Sequence, residues 1–225
     1  MVKKNESATP ENDSQISGPE LLAQTMKEIV QIGNLVVSIE TTEKVTELIQ
    51  QSTALIENGK LEKALQLLEE AQEMCEYALP DNHPTTLPVI RLRVRVLILQ
   101  ERYAQAELFL RRNINTLRKE QGTIPSDLAE SLYLMFLIKK ETEKHNDAEI
   151  ILEECISLFE TDHTTDSDTI VSLLVALFNT QLDLEKFKDA NSTLHKALKI
   201  REQEDAEHPD IEKIKALIQG LQDLL

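Results

Sequence analysis

Along the chain, apolar positions recur at helical spacing, and that pattern itself recurs at a longer period. Ala64, Ala106, Ala148 and Ala190 stand 42 residues apart. Three residues before them stand Leu61, Tyr103, His145 and Phe187, and four residues after them stand Leu68, Leu110, Leu152 and Leu194. A fixed period held over four copies marks a repeat protein, whose units bury their apolar faces against one another. Within each copy, apolar residues at three- and four-residue steps predict two helices. First helices are expected over 43–57, 86–99, 127–141 and 169–183, and second helices over 61–78, 103–119, 146–160 and 187–204. The joints "ENGK", "QERY", "EKHN" and "LEKF" fall inside units, and "LPDNHP", "QGTIPS", "DHTTDSD" and "EDAEHP" fall between them. Proline in the longer joints suits a helix start, where its missing donor costs nothing.

The two ends depart from the period. Residues 1–18 are rich in Ser, Asn, Glu, Pro and Lys, have little to bury, and read as a disordered tail. Over 19–41, Leu21, Leu22, Met26, Ile29, Val30, Ile32, Leu35 and Val36 follow mainly helical steps. This predicts an amphipathic helix, bent at Gly33, that covers the open end of the stack. Residues 42–225 then hold four units, and "DIEKIKALIQGLQDLL" after Pro209 is expected to seal the far end as a capping helix.

The alanine has a physical reason. Where two antiparallel helices cross closely the contact residue must be small, and alanine is small without glycine's helix penalty. The bulky residue one turn earlier packs on the partner helix, and the leucine one turn later fills the next layer. This spacing, with two helices per unit, resembles the tetratricopeptide repeat. "ALQLLEEAQEMCEYALPDNHP" (64–84) and "ALKIREQEDAEHPDI" (197–211) resemble the kinesin light chain variety, which has a long second helix and a joint ending in His-Pro. His83-Pro84 and His208-Pro209 carry the likeness; Pro125-Ser126 and Ser167-Asp168 replace that pair in the middle, and His145 replaces a bulky apolar residue. The resemblance implies an all-α, right-handed superhelical array of antiparallel helix pairs, an α-solenoid, that binds extended peptides along a concave surface lined by first helices.

Composition adds bounds. Five glycines, seven prolines and no tryptophan favour helices around an aliphatic core. Cys75 and Cys155 lack CxxC spacing and read as buried free thiols of a reducing compartment. The N-terminal twenty residues lack the apolar core of a signal peptide, and no apolar run approaches the ~20 residues of a membrane span. The expected location is therefore cytoplasmic or nuclear. A net charge of −16 argues against nucleic acid and anionic membrane as partners. No phosphate-cradling glycine loop or HExxH pair is present, and "DHTTDSD" lacks the glycine and glutamate of a calcium loop. The expectation is a non-catalytic chain without metal or cofactor.

Charge is unevenly spread. Residues 86–119 hold eight basic side chains and two acidic ones. Applying the alanine register, Arg91, Arg95 and Ile98 face the groove in the second unit, Tyr133, Leu137 and Lys140 in the third, and Asn179 with Asp183 in the fourth. Arg91 and Arg95 lie on one helix face, where their guanidinium forks either hold carboxylates of a partner or pair with neighbouring units. Arg93 falls where an apolar residue is usual, so either the helix is rotated or Arg93 snorkels past the core. The leading function is an adaptor that binds a protein or peptide partner, acidic in character, in the groove. The alternatives are a structural subunit of a ciliary or cytoskeletal assembly, and a regulatory domain controlling a partner enzyme.

Overall fold

The computed structural model describes residues 18–80, 83–119, 124–161, 165–205 and 207–222. Among them the chain forms helices only: α1 (Gly18–Glu57), α2 (Leu61–Ala78), α3 (Thr86–Leu99), α4 (Tyr103–Lys119), α5 (Pro125–Glu141), α6 (His145–Thr161), α7 (Ser167–Asp183), α8 (Phe187–Glu204) and α9 (Asp210–Gln222). Each helix packs on the next, so the array is built from sequential antiparallel pairs.

The periodic positions form the core. Ala64, Ala106, Ala148 and Ala190 are fully buried, and so are Leu68, Leu110, Leu152 and Leu194. Leu61, Tyr103 and Phe187 pack against this core from its edge. His145 is partly exposed, with Nδ1 3.7 Å from Oδ2 of Asp183, too far for a hydrogen bond. At the far end Ile211, Ile214, Ile218 and Leu221 of α9 are buried.

The short joints share one backbone device. Gly59, Glu101, Glu143 and Glu185 all adopt left-handed φ, between 57° and 69°. In each, the next residue's N–H reaches back to a carbonyl of the helix's last turn, as Lys60 does to Leu55 and Arg102 to Leu97. This is the Schellman closure, for which glycine is the strain-free residue. All four joints close this way, but only the first places glycine at the left-handed position; the others use glutamate. At the longer joints the histidine of His-Pro acts as a cap: Thr85 N–H donates to His83 Nδ1 at 3.3 Å, and Asp210 N–H donates to His208 Nδ1 at 3.2 Å. The ring nitrogens thereby satisfy donors at the following helix's start, which would otherwise lack a partner.

One expectation is corrected. The chain over 19–41 does not form a separate helix lying across the end of the stack. It continues into the first repeat helix as the single 40-residue α1, running through Gly33. The junction "IETTEKVT" (39–46) contains no glycine or proline to break it. Its threonines bond inward instead: Thr42 Oγ1 donates to the Ser38 carbonyl at 2.8 Å and Thr46 Oγ1 to the Thr42 carbonyl at 2.7 Å. The 1–18 tail lies outside the described residues apart from Gly18, where α1 begins.

Candidate partner-binding surface

First helices lie closer together than second helices. α3 touches both α1 and α5 directly, whereas no two second helices approach one another to that extent among the described residues. The inner surface of this part of the stack is therefore lined by first helices. Of the predicted residues, Arg95 on α3, Lys140 on α5 and Asn179 on α7 are exposed. Tyr133 is 36% exposed, its ring tilted against Phe136 with centroids 5.7 Å apart. Partly buried Ile98 and Leu137 supply apolar surface beside them.

Arg91 behaves differently. Its side chain is 15% exposed; Nη2 lies 2.8 Å from Oδ1 of Asp127, and Nη1 lies 2.8 Å from Oε2 of Glu130. Nη2 also donates to the Asp127 carbonyl at 2.8 Å. Asp127 belongs to the first turn of α5, where helix-end charge favours carboxylates, and Glu130 follows in the next turn. Arg91 thus fastens α3 to α5, and of its two sequence readings the intramolecular pairing is the one realised. Arg93 snorkels. Its guanidinium donates to Gln72 at 2.6 Å and Glu69 at 2.9 Å, and lies 4.1 Å from the Phe109 ring centroid. It bridges α2 and α4, with aromatic stacking as well as charge holding it.

Beneath the surface runs a ladder that the sequence reading did not identify. Leu97, Lys139 and Gln181 occupy equivalent places near the ends of first helices and are all buried. Lys139 Nζ lies 2.7 Å from Oε1 of Glu107 and 3.7 Å from Oδ2 of Asp147. The hydrogen bond from Lys139, aided by Arg111, holds the Glu107 carboxyl below the ordinary carboxylate range against the opposing effect of burial. Glu149 accepts from Lys186 and, at 3.5 Å, from Gln181. Gln181 in turn accepts from Thr193 at 2.8 Å. A signal existed: Glu107 to Lys139 and Glu149 to Gln181 both span 32 residues, and Leu65 to Leu97 spans the same interval. Arg201, also buried, links α7, α8 and α9 through Asp168 at 2.5 Å, Glu204 at 3.1 Å and Asp210 at 3.7 Å.

On the outer side, grooves open between successive second helices. One of about 590 Å³ lies between α6 and α8, with Glu153, Asp189 and Lys196 on its walls. Burial and the charges of Glu149 and Asp189 push the Glu153 carboxyl up, with Lys186 opposing. Another of about 350 Å³ lies between α2 and α4 and includes His83, Phe109 and Arg112. Both cysteines are free and buried. Cys155 Sγ donates to the Ala129 carbonyl at 3.2 Å, and burial pushes its thiol up to about 12, with the charge of Glu154 adding to the effect. Among the described residues no cluster of three or more His, Cys, Asp or Glu side chains could hold a metal ion, and no helix is long and apolar enough to cross a membrane.

With this geometry in hand, comparison with known proteins gives one consistent result. A crystal structure of the nearly identical TPR-like repeats of a candidate kinesin light chain from Podosopora anserina superimposes with a TM-score of 0.67. It is 15% identical and covers 81% of this chain and 92% of that one. BtubC (BKLC) from P. vanneervenii superimposes with a TM-score of 0.65 at 14% identity, covering 73% of this chain and 66% of that one. No family model matches the sequence, and no curated protein matches it. The fold is that of a TPR-like helical repeat array, as in these structures.

Proposed function

We propose that this chain is a non-catalytic scaffold that binds a segment of a partner protein along the first-helix surface of α3, α5 and α7. The observation that carries the reading is the division of labour among charged side chains on those helices. Arg91 and Lys139 are consumed inside the array, whereas Arg95 on α3 and Lys140 on α5, like Tyr133 on α5 and Asn179 on α7, are exposed. Exposed cations next to an aromatic ring and partly buried aliphatic surface suit a peptide with carboxylates flanking an apolar residue. Asn179 offers both a donor and an acceptor to that peptide's backbone. Repeat arrays commonly present such extended surfaces to partners.

The test is selection from a random peptide display library on the full chain, with an Arg95→Glu/Lys140→Glu variant in parallel. The expected result is enrichment of acidic peptides with a shared apolar position, lost in the variant while its thermal unfolding is unchanged. Enrichment of basic peptides, or equal binding by the folded variant, refutes the reading.

A further inference from the structure

The outer groove between α2 and α4 is lined by three hydrogen-bond donors that the array itself does not use. Asn113 is the first. It is 8% exposed and stands where the other units carry Ala71, Cys155 and Ala197, so an amide here is particular to this groove. Its Oδ1 accepts from Ser131 Oγ at 2.9 Å, but no described residue accepts from its Nδ2. That donor is not sealed in the core: Asn113 lines the groove, and Nδ2 reaches its solvent. A nearly buried donor without a partner gains most from an arriving acceptor. His83 is the second. Its Nδ1 accepts from Thr85 N–H, so the neutral ring carries its proton on Nε2, again without an acceptor among the described residues. Arg112 is the third. Arg111 and Arg118 on the same helix pair with Glu107 and Glu154, whereas no described carboxylate pairs with the exposed Arg112. Glu76, the acid among the described residues on the walls, is already held by Gln72 Nε2 at 2.7 Å.

We propose that this groove takes the C-terminal residue of a partner peptide. Its carboxylate lies against Arg112, Asn113 and His83, and its aliphatic or aromatic side chain lies against Leu79, Leu87, Ile90 and Phe109. Charge and donor count select the carboxylate, a group that only accepts and that an arginine holds most strongly. Size selects the chain end. The groove encloses about 350 Å³, the small end of the roughly 300–1,000 Å³ usual for ligand clefts. At a C-terminus the carboxylate and an apolar side chain share one Cα, so a single residue meets both halves of the lining. An internal Asp or Glu spends its side chain on the donors and leaves the apolar half to a second residue. The corresponding groove between α6 and α8 carries Glu153 and Asp189 on its walls and repels the same ligand. The proposal is independent of the first-helix surface and uses none of its residues.

The experiment is a chemical-shift titration of the isotope-labelled full chain with N-acetyl-leucine, N-acetyl-leucinamide and octanoate. N-acetyl-leucine is expected to shift the side-chain amide of Asn113 saturably. The amide, which lacks the carboxylate, should bind about tenfold more weakly or worse, as the loss of a charged hydrogen-bond partner implies. Octanoate has a carboxylate on a straight chain without a peptide group, and should bind more weakly than N-acetyl-leucine. Arg112→Gln and Asn113→Ala should each weaken N-acetyl-leucine about tenfold. Neither should lower the thermal midpoint much, since Arg112 is exposed and alanine is what the first and fourth units carry at the place of Asn113. Arg95→Glu/Lys140→Glu should leave this titration unchanged, which separates it from the first-helix surface. No saturable shift, an equal response to the amide, octanoate binding as tightly, or an affinity that neither groove variant lowers overturns the proposal.

Discussion

Lys139 offers the sharpest test of how this array is held together. Its side chain is 7% exposed, and Nζ lies 2.7 Å from Glu107 and 3.7 Å from Asp147. Replacing Lys139 by Met keeps most of the volume and removes the charge, leaving Glu107 desolvated with only the more exposed Arg111 as counter-ion. Breaking one side of a buried pair costs about 3–5 kcal/mol, and because Arg111 remains as a counter-ion the expected loss falls at or just below that range, about 2–3 kcal/mol. Replacing both partners with leucine recreates what the preceding unit has at Leu65 and Leu97. That double variant should fall within about 1 kcal/mol of wild type or exceed it. Urea unfolding followed by helical circular dichroism at neutral pH measures both. The pH dependence follows from the lowered carboxyl. Because Glu107 titrates below 4.5 in the folded chain, the folded state binds fewer protons than the unfolded one just below that pH. The stabilisation is therefore complete above the unfolded value and is lost as pH falls through the folded one. A Lys139→Met loss below about 1 kcal/mol, or a double variant as unstable as the single, would refute the account of the ladder.

Other consequences are simpler to check. Glu101→Gly, Glu143→Gly and Glu185→Gly should each stabilise by about 0.5–1 kcal/mol, since relief of left-handed strain exceeds glycine's entropic cost. Gly59→Ala should destabilise by about 1 kcal/mol through backbone strain alone, because nothing lies within 4 Å of the added carbon. Thermal melts of the four variants decide this. Ala106→Leu overpacks a fully buried crossing and should cost roughly 1–3 kcal/mol in the same assay. Cys155 should react with a disulfide reagent far more slowly than a free peptide thiol at neutral pH, and unfolding should abolish the difference; prompt reaction of the native chain would contradict its buried, raised thiol.

The repeat architecture was legible because it is written in side-chain size, and size is local. Each fully buried alanine marks a crossing, each buried leucine the next layer, and the helices between them start and stop within a residue or two of where periodicity puts them. The run into the first repeat was misread for an equally local reason. Two threonines and two glutamates look like a joint, but threonine hydroxyls that bond to the carbonyl four residues back are compatible with unbroken helix. The candidate site was less legible, because a charge's role depends on what lies across from it. Nothing near Arg91 announces Asp127 and Glu130, which are 36 and 39 residues away in sequence and within 2.8 Å in space.

That difference changes what the basic stretch over 86–119 means for a partner. Arg91, Arg93, Arg111 and Arg118 are each paired with a carboxylate of this chain, and Arg102 bonds Gln100 and Gln105. Arg112 lies beside the outer groove between α2 and α4. Of the cluster, Arg95 is the cation that the proposed surface presents, joined by Lys140 from α5. A groove with two such cations should bind acidic peptides with a modest salt dependence, because exposed pairs each contribute only about 0.2–1 kcal/mol and are screened beyond ~10 Å at 0.1 M salt. Apolar contact with Tyr133, Ile98 and Leu137 would then supply most of the affinity. Titrating a selected peptide between low and moderate salt should weaken binding a few-fold, and Tyr133→Ala should weaken it more than either single charge removal. A steep salt dependence with an indifferent Tyr133 would show that clustered charge, and not the mixed surface of α3 and α5, recognises the partner.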